Sequence, residues 1–217
     1  MITVLMPIYN GIEFIDESVG SIMDQTFKEW ELLIGINGHP ANSPVLKLAQ
    51  KYEMMDPRIR VFDFPELQGK ATTLNALVPL SKYPYIALLD VDDIWHIQKL
   101  QIQYPFLQHF DVVGSQCIYF GDRQGSPAIP MGNITGHDFR RGNPVINSSA
   151  VLKKELASWI ENGIEDYELW LRLWSQGKRF MNVNAILVQH RIHNASAFNS
   201  KGHVEQLASL VQKQQEN

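Results

Sequence analysis

The sequence predicts a single α/β domain with a mostly parallel central sheet flanked by helices. Short apolar runs alternate with helical patterns through the first half of the chain. The runs are apolar almost continuously rather than at every second residue, which suits strands covered on both faces. Strand–helix alternation also favours parallel pairing, because parallel neighbours need a long crossover.

The elements follow in order. TVLMPIY reads as a first strand, and Ile12, Ile15, Val19, Ile22 and Met23 then share one helical face. ELLIGI is a second strand; in the loop GHPANS, Asn42 or Ser43 can cap a helix that has Pro44 in its first turn. RIRVFDF is a third strand, a helix follows over about 70–81, and YIALL is a fourth strand. Beyond it the spacing predicts a helix over about 93–109 with Pro105 in its last turns, then strands in DVVGSQCIYF and INSSAVL. IEDYELWLRLWSQGK is a helix closed by Gly177, with Tyr167, Trp170, Leu171 and Trp174 on one face. Helical spacing makes Trp170 and Trp174 core residues rather than a sugar platform. RFMNVNAILVQH is the last strand, and an amphipathic, polar tail follows from Val204.

Composition narrows the function classes. A net charge of −4 argues against a nucleic-acid partner. The single cysteine, Cys117, sits in an apolar run and reads as a small buried hydrophobe, with no disulfide possible within the chain. No apolar run reaches the length of a membrane span. MITVLMPIYN lacks a basic n-region, so the three Asn-x-Ser/Thr sequons at Asn133, Asn147 and Asn194 carry no weight. The expectation is a soluble cytoplasmic protein, the cytoplasmic face of a membrane being the other place open to it.

The informative stretch is YIALLDVDDIWH, in which an apolar strand ends in three carboxylates, Asp90, Asp92 and Asp93. Like charges this close raise one another's pKa, and a cation relieves them. Oxygen ligands without a nearby cysteine favour Mg²⁺ or Mn²⁺. Along an extended chain Asp90 and Asp92 point the same way and can address one ligand, while Asp93 starts the next helix as its N-cap. The bland alternative is a solvated, capped strand-to-helix turn. In open α/β sheets ligands bind beyond the carboxyl ends of the strands at the switch in strand order. That rule gathers Pro7–Asn10, Asn37–Gly38 and Asp90–Asp93.

MPIYNG, GKATTLN, YIALLDVDD, IEDYELWLRL and HRIHNAS, in that order over roughly residues 2–198, together resemble the family-2 glycosyltransferases of the GT-A (Rossmann-like) fold. The resemblance implies an inverting hexosyl- or deoxyhexosyltransferase that moves a sugar from a UDP- or dTDP-sugar to a glycan or glycolipid hydroxyl with Mn²⁺ or Mg²⁺. Residues 1–93 would then bind the nucleotide sugar and 94–200 the acceptor, with a C-terminal helix at 203–217; the chain could be a piece of a larger protein. Pro7, Tyr9 and Asn10 match the first-strand motif of the nucleotide pocket, and Lys70 and Asn75 a segment near the nucleotide and diphosphate. Asp90 matches the acid toward the ribose and Asp92 the acid toward the metal. Asp166 matches the general base, Glu165 faces the acceptor beside it, and His193 matches a histidine near diphosphate and metal. One departure is plain: the family's acidic run after the second strand is replaced by INGHPANS, leaving Asn37 to face the base with a donor and an acceptor.

The chemistry asks for this set. Loss of a nucleoside diphosphate builds negative charge on the leaving oxygen, which a divalent ion stabilises. The acceptor hydroxyl needs a general base on the opposite face. Glu165 and Asp166 could instead only complement a helix dipole, and His193 could be a satisfied loop histidine. Two other classes stay open: a haloacid-dehalogenase-like phosphatase, whose DxD usually follows the first strand and continues Gly-Thr, and a non-catalytic sugar-nucleotide-binding module on the same fold.

Overall fold

A computed structural model of the protein describes residues 1–161 and 164–193. The expected helix over 203–217 and the sequon at Asn194 lie outside the described residues. The first half alternates as expected: β1 (Ile2–Ile8), α1 (Ile15–Met23), β2 (Trp30–Asn37), α2 (Pro44–Met55), β3 (Ile59–Phe64), α3 (Lys70–Leu77) and β4 (Tyr85–Leu88). Ser43 is the cap of α2, its hydroxyl accepting the Leu46 N–H at 3.1 Å, with Pro44 in the first turn. The second half adds β5 (Ile94–Trp95), α4 (Lys99–Gln103), β6 (Val112–Gly121), β7 (Gly132–Asn133), β8 (Val151–Lys153), α5 (Glu165–Ser175) and β9 (Phe180–Ile192).

All but β7 lie in one sheet path, β3-β2-β1-β4-β8-β6-β9-β5, and β7 pairs with β9. The pairs β3–β2, β2–β1 and β1–β4 are parallel; β8 is antiparallel to both of its neighbours. The order runs outward from β1 to β3 and restarts at β4, so the switch lies between β1 and β4. Even-numbered residues of β1 (Ile2, Val4, Met6, Ile8) face one core with Ile15 and Val19 of α1. Leu5 and Leu88 face a second core with Leu74 and Leu77 of α3 and Trp170 of α5. Gly35 of β2 lets α3 lie close on the sheet: a Cβ there would stand 2.7 Å from Thr73 Cγ2. That approach carries Lys70, the first residue of α3, to the end of β4.

Four expectations are corrected. The helix over 93–109 is broken: Ile94–Trp95 is a strand against β9, α4 spans only Lys99–Gln103, and a 3-10 turn holds Pro105. Asp93 caps no helix, because its carboxylate is wholly buried and is taken up by β9. In INSSAVL only the end is strand; Asn147–Ser149 is a 3-10 turn. The helix expected over 70–81 ends at Leu77 and tightens into a 3-10 turn containing Pro79, which lacks the N–H to continue it.

Cys117 is buried, as expected. Trp170 is fully buried and Trp174 stacks on Phe139, so neither forms an open platform. Trp170→Ala is therefore expected to cost about 3–5 kcal/mol in chemical denaturation. Unchanged stability would put that ring outside the core.

Candidate active site

The end of β4 sets the site. Leu89 N–H donates to the Leu5 carbonyl at 3.2 Å, the last tie to β1, and the chain then turns, with Asp93 N–H donating to the Asp90 carbonyl at 3.1 Å. Asp90, Val91 and Asp92 are thus in a turn rather than an extended strand, and the acids do not point together through strand alternation. Asp90 accepts Lys70 Nζ at 2.5 Å on one oxygen and Asn147 Nδ2 at 3.0 Å on the other, and its backbone N–H donates to Ser148 Oγ at 3.1 Å. Asp92 meets His193 Nε2 at 3.1 Å.

The fields differ sharply across a small space. Burial alone would push Asp90 up, but the Lys70 charge and hydrogen bond, helped by Asn147, hold it below the ordinary carboxylate range. Asp92 is pushed up by burial and by the charges of Asp93 and Asp90, which His193 offsets only in part. Lys70 is pushed down by burial, yet Asp90 together with the charges of Asp166 and Asp92 raises it above its usual value. Lys70 is therefore the cation that three of the predicted acids share.

Asp166 joins this electrostatic group from α5. It lies in the first turn of α5, accepts Asn143 Nδ2 at 3.1 Å, and is raised by burial and by Asp90 against the lowering effect of Lys70. Glu165, next to it, is turned to Glu161 and hydrogen-bonded to it; burial and this neighbour raise the Glu161 carboxyl. Glu161 in turn accepts the Ala71 and Thr72 N–H groups at 3.0 and 3.4 Å, at the start of α3, where a carboxylate suits the helix dipole.

The residues expected on the nucleotide side lie at and beyond the ends of β1 and β2 and on α3. Tyr9 and Asn10 are exposed past β1, and Pro7 lies within the strand. The Tyr9 ring lies 5.4 Å from that of His39, whose Nε2–H donates to the Tyr9 carbonyl at 2.6 Å. Asn37 is buried, its amide donating to the Gly69 carbonyl at 3.4 Å. Asn75 stands more than a turn along α3 from Lys70. Its amide ties the Trp159 backbone, donating at 2.8 Å and accepting at 3.0 Å. Sequence reading missed Asn143, Asn147, Ser148 and Glu161; each acts through a partner far along the chain, which no local spacing signals.

Among the described residues no group of three or more His, Cys, Asp or Glu side chains is placed to hold a metal. Mg²⁺ and Mn²⁺ commonly take only one or two protein carboxylates and complete their shell with substrate phosphates. The donor set at Asp92 and His193, with a carboxyl pushed up by burial and by its negative neighbours Asp93 and Asp90, suits an ion of that kind.

Glycosyl transferase family 2 matches residues 3–145. The O-antigen biosynthesis glycosyltransferase WbnJ of Escherichia coli is 27% identical over 213 residues, covering 90% of this chain and 81% of the relative. A second Escherichia coli relative, the UDP-Glc:alpha-D-GlcNAc-diphosphoundecaprenol beta-1,3-glucosyltransferase WfaP, is 25% identical over 209 residues, covering 93% and 81%. Among solved structures, S. aureus TarS 1-349 in complex with UDP-GlcNAc superposes with a TM-score of 0.81 at 15% identity. That match covers 100% of this chain but 66% of TarS 1-349, so the chain spans just under two thirds of it. The mannosyltransferase PcManGT from Pyrobaculum calidifontis, in complex with GDP-Man and Mn2+, gives 0.70 at 15% identity, covering 90% and 58%. At such identities the structural likeness speaks for the fold, a GT-A arrangement.

The raised Asp166 carboxyl has a consequence for stability. A carboxyl held above its unfolded value of about 3.9 binds its proton more tightly when folded, so stability falls as pH rises through the folded pKa. Asp166→Asn should therefore raise the melting temperature at pH 7, and the gain should vanish below pH ~4. A dipole-complementing acid predicts the opposite, a loss at neutral pH.

Proposed function

The chain belongs to glycosyl transferase family 2, and from that premise we propose that it moves a hexosyl or deoxyhexosyl group from a UDP- or dTDP-sugar to a hydroxyl of a glycan or glycolipid. Relatives and neighbours support the donor class: WfaP is named for a UDP-Glc donor and a lipid diphosphate acceptor, and TarS 1-349 carries UDP-GlcNAc. What supports the mechanism is that Lys70, bonded to Asp90, is shared by two carboxyls whose surroundings displace them oppositely, Asp90 downward and Asp166 upward. Environments that push two acids apart assign them different tasks.

In this reading Asp166 takes the proton of the acceptor hydroxyl as it attacks, with Asn143 fixing the carboxylate's second oxygen. Glu165, paired with Glu161, flanks the acceptor. Asp90 faces the ribose side, Lys70 neutralises charge near the diphosphate, and Pro7, Tyr9, Asn10, Asn37 and Asn75 line or brace the nucleotide pocket. Asp92 and His193 would hold Mn²⁺ or Mg²⁺; when bound, such an ion supplies Lewis-acid stabilisation to the departing diphosphate. A single displacement from the face opposite the leaving group inverts the anomeric carbon. Family membership removes the phosphatase alternative. Acceptor-dependent release of nucleoside diphosphate separates an enzyme from a binding module.

Two tests follow. Asp166→Asn should lower kcat by about 10³-fold or more while leaving donor binding intact; near-normal turnover would move the base to Glu165. In the wild type the acid limb of kcat/KM should lie above the ordinary Asp value of about 3.9, because the base works only when deprotonated. Separately, UDP or dTDP with Mn²⁺ should raise the melting temperature, and chelation or Asp92→Asn should remove that gain. Stabilisation by GDP alone, with none from UDP or dTDP, would overturn the donor assignment.

A further inference from the structure

The third acid of the turn has no part in the chemistry above, yet it is the most enclosed. Asp93 is completely buried, and a buried carboxylate persists only when paired. Among the described residues its partners come from the end of β9: Oδ1 accepts the Arg191 backbone N–H at 2.9 Å, and Oδ2 meets His190 Nδ1 at 3.0 Å. The Arg191 side chain then doubles back. Its Nε–H donates to the Asp92 carbonyl at 2.9 Å, and Nη2 reaches Glu17 at 2.9 Å. The guanidinium lies between two phenyl rings, 4.4 Å from Phe14 and 4.3 Å from Phe120. Such a flat, doubly stacked setting suits arginine and not lysine.

The register explains why this matters. β5 and β9 pair antiparallel, Ile94 with Gln189 and Trp95 with Val188; continuing it sets Asp93 opposite His190 and Asp92 opposite Arg191. The strand ends at Ile192, and His193 just beyond it meets Asp92 across a separation of 101 residues. We infer that Asp93 and Arg191 are positioning residues, a brace that fixes the end of β9 on the turn so that Asp92 and His193 converge. The inference rests on the reading that this pair holds the diphosphate's cation. Neither brace residue is one of the two assigned to that cation.

The test is Mn²⁺ titration of the full chain in the presence of UDP, followed by the electron paramagnetic resonance of free Mn²⁺, alongside thermal unfolding without ligand. Arg191→Met keeps an apolar stem between the rings but no donor for the Asp92 carbonyl; Asp93→Asn keeps one acceptor and sets an amide against His190. Both should weaken Mn²⁺ binding by about 10–100-fold, the usual cost of losing a group that orients a metal ligand. In Arg191→Met, which leaves the buried acid in place, donor KM at limiting Mn²⁺ should rise while kcat at saturating Mn²⁺ stays within about 3-fold, since orientation and not chemistry is lost. A lowered melting temperature with unchanged Mn²⁺ affinity would make the brace merely structural and overturn the inference. Asp92→Asn separates the two levels. If it too leaves Mn²⁺ affinity unchanged, the cation reading falls and the brace with it; if it abolishes binding while Arg191→Met binds normally, the brace alone falls.

Discussion

Three carboxylates in four residues, at the point where β4 leaves the sheet, repel one another unless each meets its own compensation. The rest of the domain is arranged around supplying it. Lys70 comes to Asp90 from α3, His193 to Asp92 from beyond β9, and His190 with the Arg191 backbone to Asp93. Lys70 arrives on α3, and the other partners arrive together on the end of β9 and the residue after it. Packing of α3 against Gly35, and the pairing of β9 with β5, are the steps that bring them in. The burial that makes the cluster costly also makes its charges strong.

The same cluster creates a tension between stability and chemistry. Asp90 is held ionised by Lys70, whereas Asp166, also within the field of Lys70, is pushed up by burial and by Asp90. A raised carboxyl is a poor contributor to neutral-pH stability and a good proton acceptor near the pH where it works. His190 shows the complementary case: burial alone would lower its pKa, but Asp93, with the charges of Asp90 and Asp92, raises it. One site thus holds groups displaced in opposite senses, as catalytic sites tend to.

The parallel half of the fold was legible because its signals are local: continuous apolar runs for β1 and β2, and Ser43-Pro44 for the start of α2. Asp90, Asp92, Lys70 and Asp166 could be singled out by motif, and the fold brings them into one electrostatic group. What failed was non-local. An Asp before Ile-Trp-His reads as an N-cap until β9 is known to claim its carboxylate and to pair with Ile94 and Trp95. Asn147 and Ser148 sit in a stretch with strand propensity, and only Asp90, more than fifty residues away, gives their turn a purpose. Asn37 shows the same limit, for its amide is drawn to Gly69 at the start of α3.

The central claim is that the acid turn and the end of β9 together form the cation seat for a nucleoside diphosphate. The most direct test is a crystal structure of the full chain with UDP and Mn²⁺, with the ion located by its anomalous scattering. The account predicts one peak bonded to Asp92, to His193 and to diphosphate oxygens, with Lys70 still close to Asp90. An ion bound elsewhere, or a diphosphate seated without Asp92 and His193, would contradict it.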